Sequence, residues 1–490
     1  MVTSEQATPA NQGAGDPSGA VVEHSDLQRG AVGLTGVLMQ SVTTIAPAIA
    51  GLVTLPFIVS NAGNAAPLAY LGAFVIALML GFMLTQFAKH ITSAGTWYTF
   101  LSRSLGARVG FLFAWMYLLI YPLVIPQIGA FMGSTLESTL KAEYGVTFHW
   151  WWFMLALIVV VALTAYWGIT LSVRLIVVFG LFEIVVVLAL ALFGFASPGA
   201  GGVNLDWLNP GNSPTGHGFF LAIVFAIFAI GGWDAAAPIG EESRNPRRNV
   251  PRGVIGSILI LGAFLVFASW GQLSGWGTLH ADKLAASPEL PAFVLGHKYW
   301  GGAWIILLIA LLNSSLAVSI AVTNASVRIF YAMARSGVLP RQMSVVHPKH
   351  KTPVNAIIFQ TAVNLVLGVG LAFAVGQNNV YNVTGLMATF ALAPVLIVAN
   401  VGMTVFYWRD HRQDFNVLKH VLVPIVSSAA LVLVVYYSLN PAPAYPASLA
   451  APITIGWLVL GLGVLFTMLR LGKRAWLVHA GAAVAEEPLH

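Results

Sequence analysis

Twelve stretches of this chain stay apolar over nearly or more than the roughly 20 residues that a helix needs to cross a bilayer. They run over approximately 33–58, 65–88, 107–136, 150–169, 172–196, 217–240, 253–276, 302–332, 354–375, 380–407, 418–438 and 449–471. No water-soluble core calls for runs of that length in that number. In hydrocarbon every backbone N–H and C=O must be paired within its own segment, so the spans predict an all-α membrane protein of twelve transmembrane helices. Composition agrees: 58% of the 490 residues are hydrophobic and only 8% charged, against about 25% charged in soluble domains.

Lys and Arg resist translocation and collect on the cytoplasmic side. Threading the spans from a cytoplasmic N-terminus leaves only Lys141, Lys283 and Lys298 outside, of 23 Lys and Arg. The expectation is a multi-pass protein of the cytoplasmic membrane with both termini in the cytoplasm. Residues 1–28 are polar and rich in Gly, Ala and Pro, without the basic start and apolar run of a signal peptide, and are expected to be a disordered cytoplasmic tail. The rest divides into a ten-helix core over 29–410, two additional helices over 411–474, and a C-terminal cytoplasmic tail over 475–490.

The formal charge of +6 and the pI near 9.5 then describe loops at the inner leaflet, and no nucleic-acid partner is expected. With no cysteine, the chain has no disulfide, thiolate metal ligand or Cys nucleophile. Neither HExxH, GxSxG nor GxxxxGK[ST] occurs, so no cofactor, metal or enzymatic activity is implied.

Two spans carry breaks. A lipid-exposed break leaves backbone groups unpaired at several kcal/mol each, so a break marks a protein-lined or water-lined cavity. In the sixth span, "AIGGWDA", Gly231-Gly232 permits unwinding and Asp234 lies just beyond. In the first, "SVTTIAPAIAG", Pro47 removes an N–H while Ser41, Thr43 and Thr44 offer hydroxyls. Interrupted segments opening each of two five-span halves point to an inverted-repeat carrier with its site near the membrane midplane. Close packing of small residues is the ordinary alternative for either break alone.

Four segments resemble the amino acid/polyamine/organocation permease superfamily over roughly residues 33–410. "ITSAGTWYTFLSRSLGARVGFLFAWMY" is similar to the family's entry to the third span. "GGWDAAAPIGEESRNPRRNVPRG" resembles its sixth-span break with the acidic pair, Asn-Pro and basic residues that follow. "ASVRIFYAMARSGVLPRQMSVVHPKHKTPVNA" resembles the end of its eighth span. The fourth, "TIAPAIAG", departs from the common Gly-Ser-Gly break and looks more like a Pro-containing variant of some amine importers, which leaves the carboxylate half of an amino-acid site in question. The resemblance implies a 5+5 inverted repeat with discontinuous first and sixth helices, two peripheral helices, and alternating access around a central site.

On this reading the candidate substrate site comprises Thr43, Thr44, Ile45 and Ala46 at the first break and Phe228, Ile230, Gly231, Gly232 and Asp234 at the sixth. Asp234 binds a cargo ammonium or titrates, or it caps the second half of the broken helix, roles that can coexist. Phe228 stands where the resemblance places an aromatic gate. Glu183, inside "VVFGLFEIVVVLAL", falls near a position where proton-coupled relatives carry a lysine. Hydrocarbon penalises its anion, which makes it the candidate for a coupling proton, or else a neutral acid bonded to a neighbouring helix.

Glu241 and Glu242, with Arg244, Arg247, Arg248, Arg328 and Arg335, offer an inner charge latch, Glu241 with Arg328 and Arg335 foremost; solvated interfacial charge is the plainer role for the others. Ser41, Thr43, Thr44, Ser315, Ser319 and Thr323 leave sodium open as a coupling ion, and Trp115, Tyr117 and Gln127 are candidate pocket residues. The expected function is import of an amino acid or related small amine with a coupling proton. An exchanger is the alternative among carriers, and a sensor or channel the alternative of another class; a channel would call for pore-lining rings or filter loops.

Overall fold

The computed structural model describes residues 25–471 together with Val22–Glu23, Trp476 and Ala483–Val484. Most of the two expected tails, 1–28 and 475–490, lies outside the described residues. Among the described residues twelve segments are long and apolar enough to cross a membrane. Apart from a two-residue parallel pairing of Val22–Glu23 with Ala483–Val484 and the single bridge Val32–Ser243, all regular structure there is helical.

The helices are α1 (Leu34–Ile45), α2 (Leu55–Ala62), α3 (Ala66–Ala88), α4 (Trp97–Leu105), α5 (Ala107–Tyr144), α6 (Trp150–Trp167), α7 (Ile169–Ala196) and α8 (Gly216–Ala229). After them come α9 (Pro246–Trp276), α10 (Ala281–Ala285), α11 (Pro291–Trp300), α12 (Ile305–Arg335), α13 (Val354–Val375), α14 (Gln377–Asp410), α15 (Val423–Leu439) and α16 (Ala450–Arg470). The first span is the most buried of the twelve and packs against α7, α9 and α12, whereas α16 is the least buried and lies on α5 and α14.

Both breaks form, and for the reasons the sequence suggests. Pro47 has no N–H to continue α1, so the helix stops at Ile45; Ala46 turns left-handed at φ 57°, and the chain resumes through a π turn, Ile49–Val53, into α2. The sixth span departs from expectation beyond its break. Its helix ends at Ala229, Gly232 adopts φ 101°, and short 3-10 turns at Trp233–Ala236 and Gly240–Glu242 replace the second half-helix expected up to residue 240. Pro238 denies an α-helix room to re-form there.

Hydropathy also stops short at polar ends. α5 continues to Tyr144 through "STLESTLKAEY", and α9 starts at Pro246, where a proline fits the first turn and "RRNVPRG" can be helical outside hydrocarbon. The alternation of the spans gathers the ends of α3 and α12, the start of α9 and the loop before α13 at one end of the bundle, here called the basic face. Lys141, Lys283 and Lys298 sit at the other.

Candidate functional site

The two breaks touch each other. A Cβ at Gly232 would stand 2.6 Å from Thr44 Cγ2 and 2.9 Å from the Thr44 carbonyl oxygen, so the glycine is demanded both by φ and by the backbone of α1. Ser41 Oγ donates to the Trp233 carbonyl at 2.7 Å and accepts the Ala236 N–H at 3.1 Å. Carbonyls freed in the first span are taken up by neighbours: Tyr70 OH donates to Ala50 O and Gln272 Nε2 to Gly51 O, both at 2.9 Å. The freed Ala48 N–H donates to Glu183 Oε2 at 3.2 Å, and Asn313 Nδ2 on α12 donates to Glu183 Oε1 at 3.2 Å. Fully buried Glu183 thereby joins α1, α7 and α12 behind the first break.

In front of the breaks is a cavity of about 190 Å³, smaller than the sites that take drug-sized ligands. One face of α5 lines it with Tyr117, Ile120, Tyr121, Val124 and Gln127, a helical stripe of spacing three and four. Thr44, Ile45 and Ala46 border it at the first break, Phe228, Gly231, Gly232 and Asp234 at the sixth, and Val318 and Val322 from α12 and Tyr381 and Thr389 from α14 complete the wall. Phe228 packs edge-on to Tyr381, with ring centroids 6.4 Å apart.

Among the described residues Asp234 is the only Asp, Glu, Lys, Arg or His that lines the cavity. Its Oδ2 accepts from Tyr117 OH at 2.6 Å and from Trp97 Nε1 at 2.9 Å. Three elements therefore converge on one carboxylate: the sixth break, α5 and the start of α4.

At the basic face two acids side by side make two separate ion pairs. Glu241 is gripped by Arg335 through both guanidinium ends, at 3.0 and 3.1 Å, and accepts the Ala94 N–H at 2.8 Å. Burial alone would push this carboxyl up, but the Arg335 charge and hydrogen bonds, with the Ala94 amide, outweigh it and leave Glu241 below the usual carboxylate range. Arg328 pairs instead with Glu242, through Nε on one oxygen and Nη2 on the other at 3.1 Å, while its Nη1 donates to Asn324 O at 2.9 Å. The expected grouping of Arg328 with Glu241 is thus corrected: adjacent acids on a 3-10 turn point in different directions, and Arg328 and Arg335 stand two turns apart on α12. The N-terminal segment lies across these pairs. Val32 N–H donates to Glu242 O, Arg244 N–H to Val32 O, and Asp26 N–H to Tyr331 OH at 3.3 Å.

Of the expected substrate residues, Thr43 and Ile230 stand outside the cavity lining. Thr43 hydrogen-bonds Met39 O one turn back and faces Gly180 on α7. Trp115 is also elsewhere: its indole stacks on Trp457 of α16, and each indole N–H donates to the other residue's carbonyl at 2.9 Å. Ser41, Ser315 and Ser319, considered for sodium, each donate to a backbone carbonyl. Trp97, Tyr121 and Tyr381 went unnoticed as site residues. Only Trp97 carried a local signal, an indole directly after the small-residue turn "TSAGT".

A family model described as "Amino acid permease" matches residues 30–469. The chain is 28% identical over 362 residues to a low-affinity putrescine importer of Escherichia coli (strain K12), covering 72% of this chain and 76% of that protein. It is 26% identical over 403 residues to a branched-chain amino acid permease of Bacillus subtilis (strain 168), covering 78% and 81%. A serine/threonine exchanger of the same organism is 26% identical over 317 residues, covering 61% of this chain and 67% of that protein.

Proposed function

The chain belongs to the amino acid permease family, and from that premise we propose that it imports an amino acid or related small amine across the cytoplasmic membrane by proton-coupled alternating access. Membership makes it a membrane transporter rather than an enzyme. The observation that carries the finer reading is Asp234, among the described residues the single acidic or basic side chain on a cavity built where two helices break. With Oδ2 held by Tyr117 and Trp97, Oδ1 is the oxygen assigned to the cargo's ammonium, a charge-assisted contact. The aliphatic wall of α5 and α12 takes the rest of the cargo, and Phe228 with Tyr381 is its lid.

The basic face is the cytoplasmic one on the positive-inside argument. Release into the cell then requires the Glu241–Arg335 and Glu242–Arg328 pairs to part, and their loss and recovery supplies a state-dependent energy. Proton coupling is assigned to Glu183. Gaining a proton there changes the acceptor that holds Ala48, and thereby the geometry of the first break, so a proton and the cargo bias the same element.

The test is uptake of radiolabelled amines and amino acids into proteoliposomes with and without an imposed pH gradient. Concentrative uptake driven by the gradient supports the coupled carrier. Uptake that requires loaded cargo inside, and ignores the gradient, identifies an exchanger instead, and passive equilibration identifies a channel.

A further inference from the structure

We propose that the site selects amines lacking a carboxylate, and that Glu183 enforces this by occupying the amide a cargo carboxylate would need. The inference rests on the carrier reading above and narrows its cargo. Where a broken helix resumes, its first N–H groups point outward and form the natural seat for an anion. Here the first residue after left-handed Ala46 is Pro47, which has no N–H. The next, Ala48, donates to Glu183 Oε2, while Ala46 donates to Thr43 O and Ala50 to Ala46 O. The protein's own carboxylate already sits on the first amide of that seat.

Three amides after the sixth break are taken as well. Ala235 N–H donates to Gly232 O, Ala236 N–H to Ser41 Oγ and Ala237 N–H to Asp234 O. Among the described residues no Lys, Arg or His lines the cavity, so a carboxylate there meets no cationic partner among them and faces one acid on the wall and another behind it. An ammonium group meets the opposite surroundings: the Asp234 carboxylate, flanked by the aromatic rings of Tyr117, Tyr121 and Phe228. Both Glu183 oxygens accept hydrogen bonds, so its role here is that of a positioning residue which fills an anion seat rather than a ligand of the cargo.

Competition binding to the full-length protein in proteoliposomes, with matched pairs that differ only in the carboxylate, tests this. Suitable pairs are putrescine and ornithine, isoamylamine and leucine, and phenethylamine and phenylalanine. The amine of a pair that fits the cavity is expected to bind at least about tenfold tighter, the scale of one charge-assisted hydrogen bond. Glu183→Ala frees the Ala48 amide and is expected to cut that preference by about tenfold, whereas Glu183→Gln keeps an oxygen on the amide and retains most of it. Amino acids binding as tightly as their amines in the wild type, or an unchanged preference in a folded Glu183→Ala protein, overturns the inference. If Glu183→Ala does not fold, the wild-type pairs decide. Binding of no member of any pair overturns the carrier reading itself, a different result from equal binding of both.

Discussion

Replacing Gly232 with alanine perturbs both breaks through one methyl group. The residue holds φ 101° and ψ 0°, a conformation that costs an L-residue about 1–2 kcal/mol. The added Cβ would also lie 2.6 Å from Thr44 Cγ2, 2.9 Å from Thr44 O and 3.0 Å from Thr44 C. Two of those atoms belong to the backbone of α1 and cannot swing aside, so overpacking adds about 1–3 kcal/mol. Gly231→Ala is the matched control: its φ is not positive, and the closest atom to a new Cβ is Phe228 O at 3.1 Å. The expected destabilisation is therefore about 2–5 kcal/mol for Gly232→Ala and far less for Gly231→Ala. Both are measured in detergent by the temperature at which the monodisperse protein is lost on size-exclusion chromatography, with cargo affinity measured on what remains folded. If the two alanine variants lose stability and affinity equally, the proposed contact between the breaks is wrong.

Asp234→Asn keeps the shape of the site but removes its charge, and should weaken amine binding by about 1.5–3 kcal/mol while the protein still folds; unchanged affinity would remove Asp234 from the site. Glu241→Gln should raise labelling, from the basic face, of a cysteine placed at Val318, against a background with no native cysteine. Because the native Glu241 carboxyl lies below its unfolded value, its contribution is present above about pH 4.3 and fades only as pH falls through the native value. Glu241→Gln should therefore leave the shape of a pH–activity profile between about 5 and 8 unchanged, and a shift within that window would contradict the sign. Glu183→Gln cannot titrate; it should still exchange labelled for unlabelled cargo but lose accumulation driven by a pH gradient, and wild-type accumulation would move the coupling site elsewhere.

Much of the architecture is legible because hydrocarbon imposes its own ruler: about 20 apolar residues per crossing leave a periodic trace that no packing detail erases. The breaks are legible for a local reason, since Pro47 lacks an N–H and Gly231-Gly232 tolerates unwinding. Partners remote in sequence leave no such trace. Ala48 and Glu183 are separated by 135 positions and Glu183 and Asn313 by 130, and nothing in "VVFGLFEIVVV" says which helix its acid faces. Glu241 and Glu242 are chemically identical neighbours, so only the turn between them reveals which arginine each meets. Trp115 misleads because its position in an aromatic-rich helix suits a pocket as well as a helix–helix seam; its stacking on Trp457, 342 positions away, decides for the seam.

The N-terminal segment laid across the basic face sets an order of assembly. Asp26 reaches Tyr331 across 305 positions, and Val32 holds Glu242 and Arg244. At a synthesis rate of about 5–20 residues per second, Tyr331 leaves the ribosome roughly 15–60 s after Asp26. Within that interval the first span, which packs on α7, α9 and α12, gains those neighbours one after another, and the Asp26 contact must wait for the last of them. Residues 26–32 are therefore fixed on the basic face only after α12 has been made, although they are synthesised before the first span. A nascent chain stalled before residue 331 should leave the segment around Leu27, buried against Tyr331 and Ala332 in the finished protein, open to a protease that the finished protein resists.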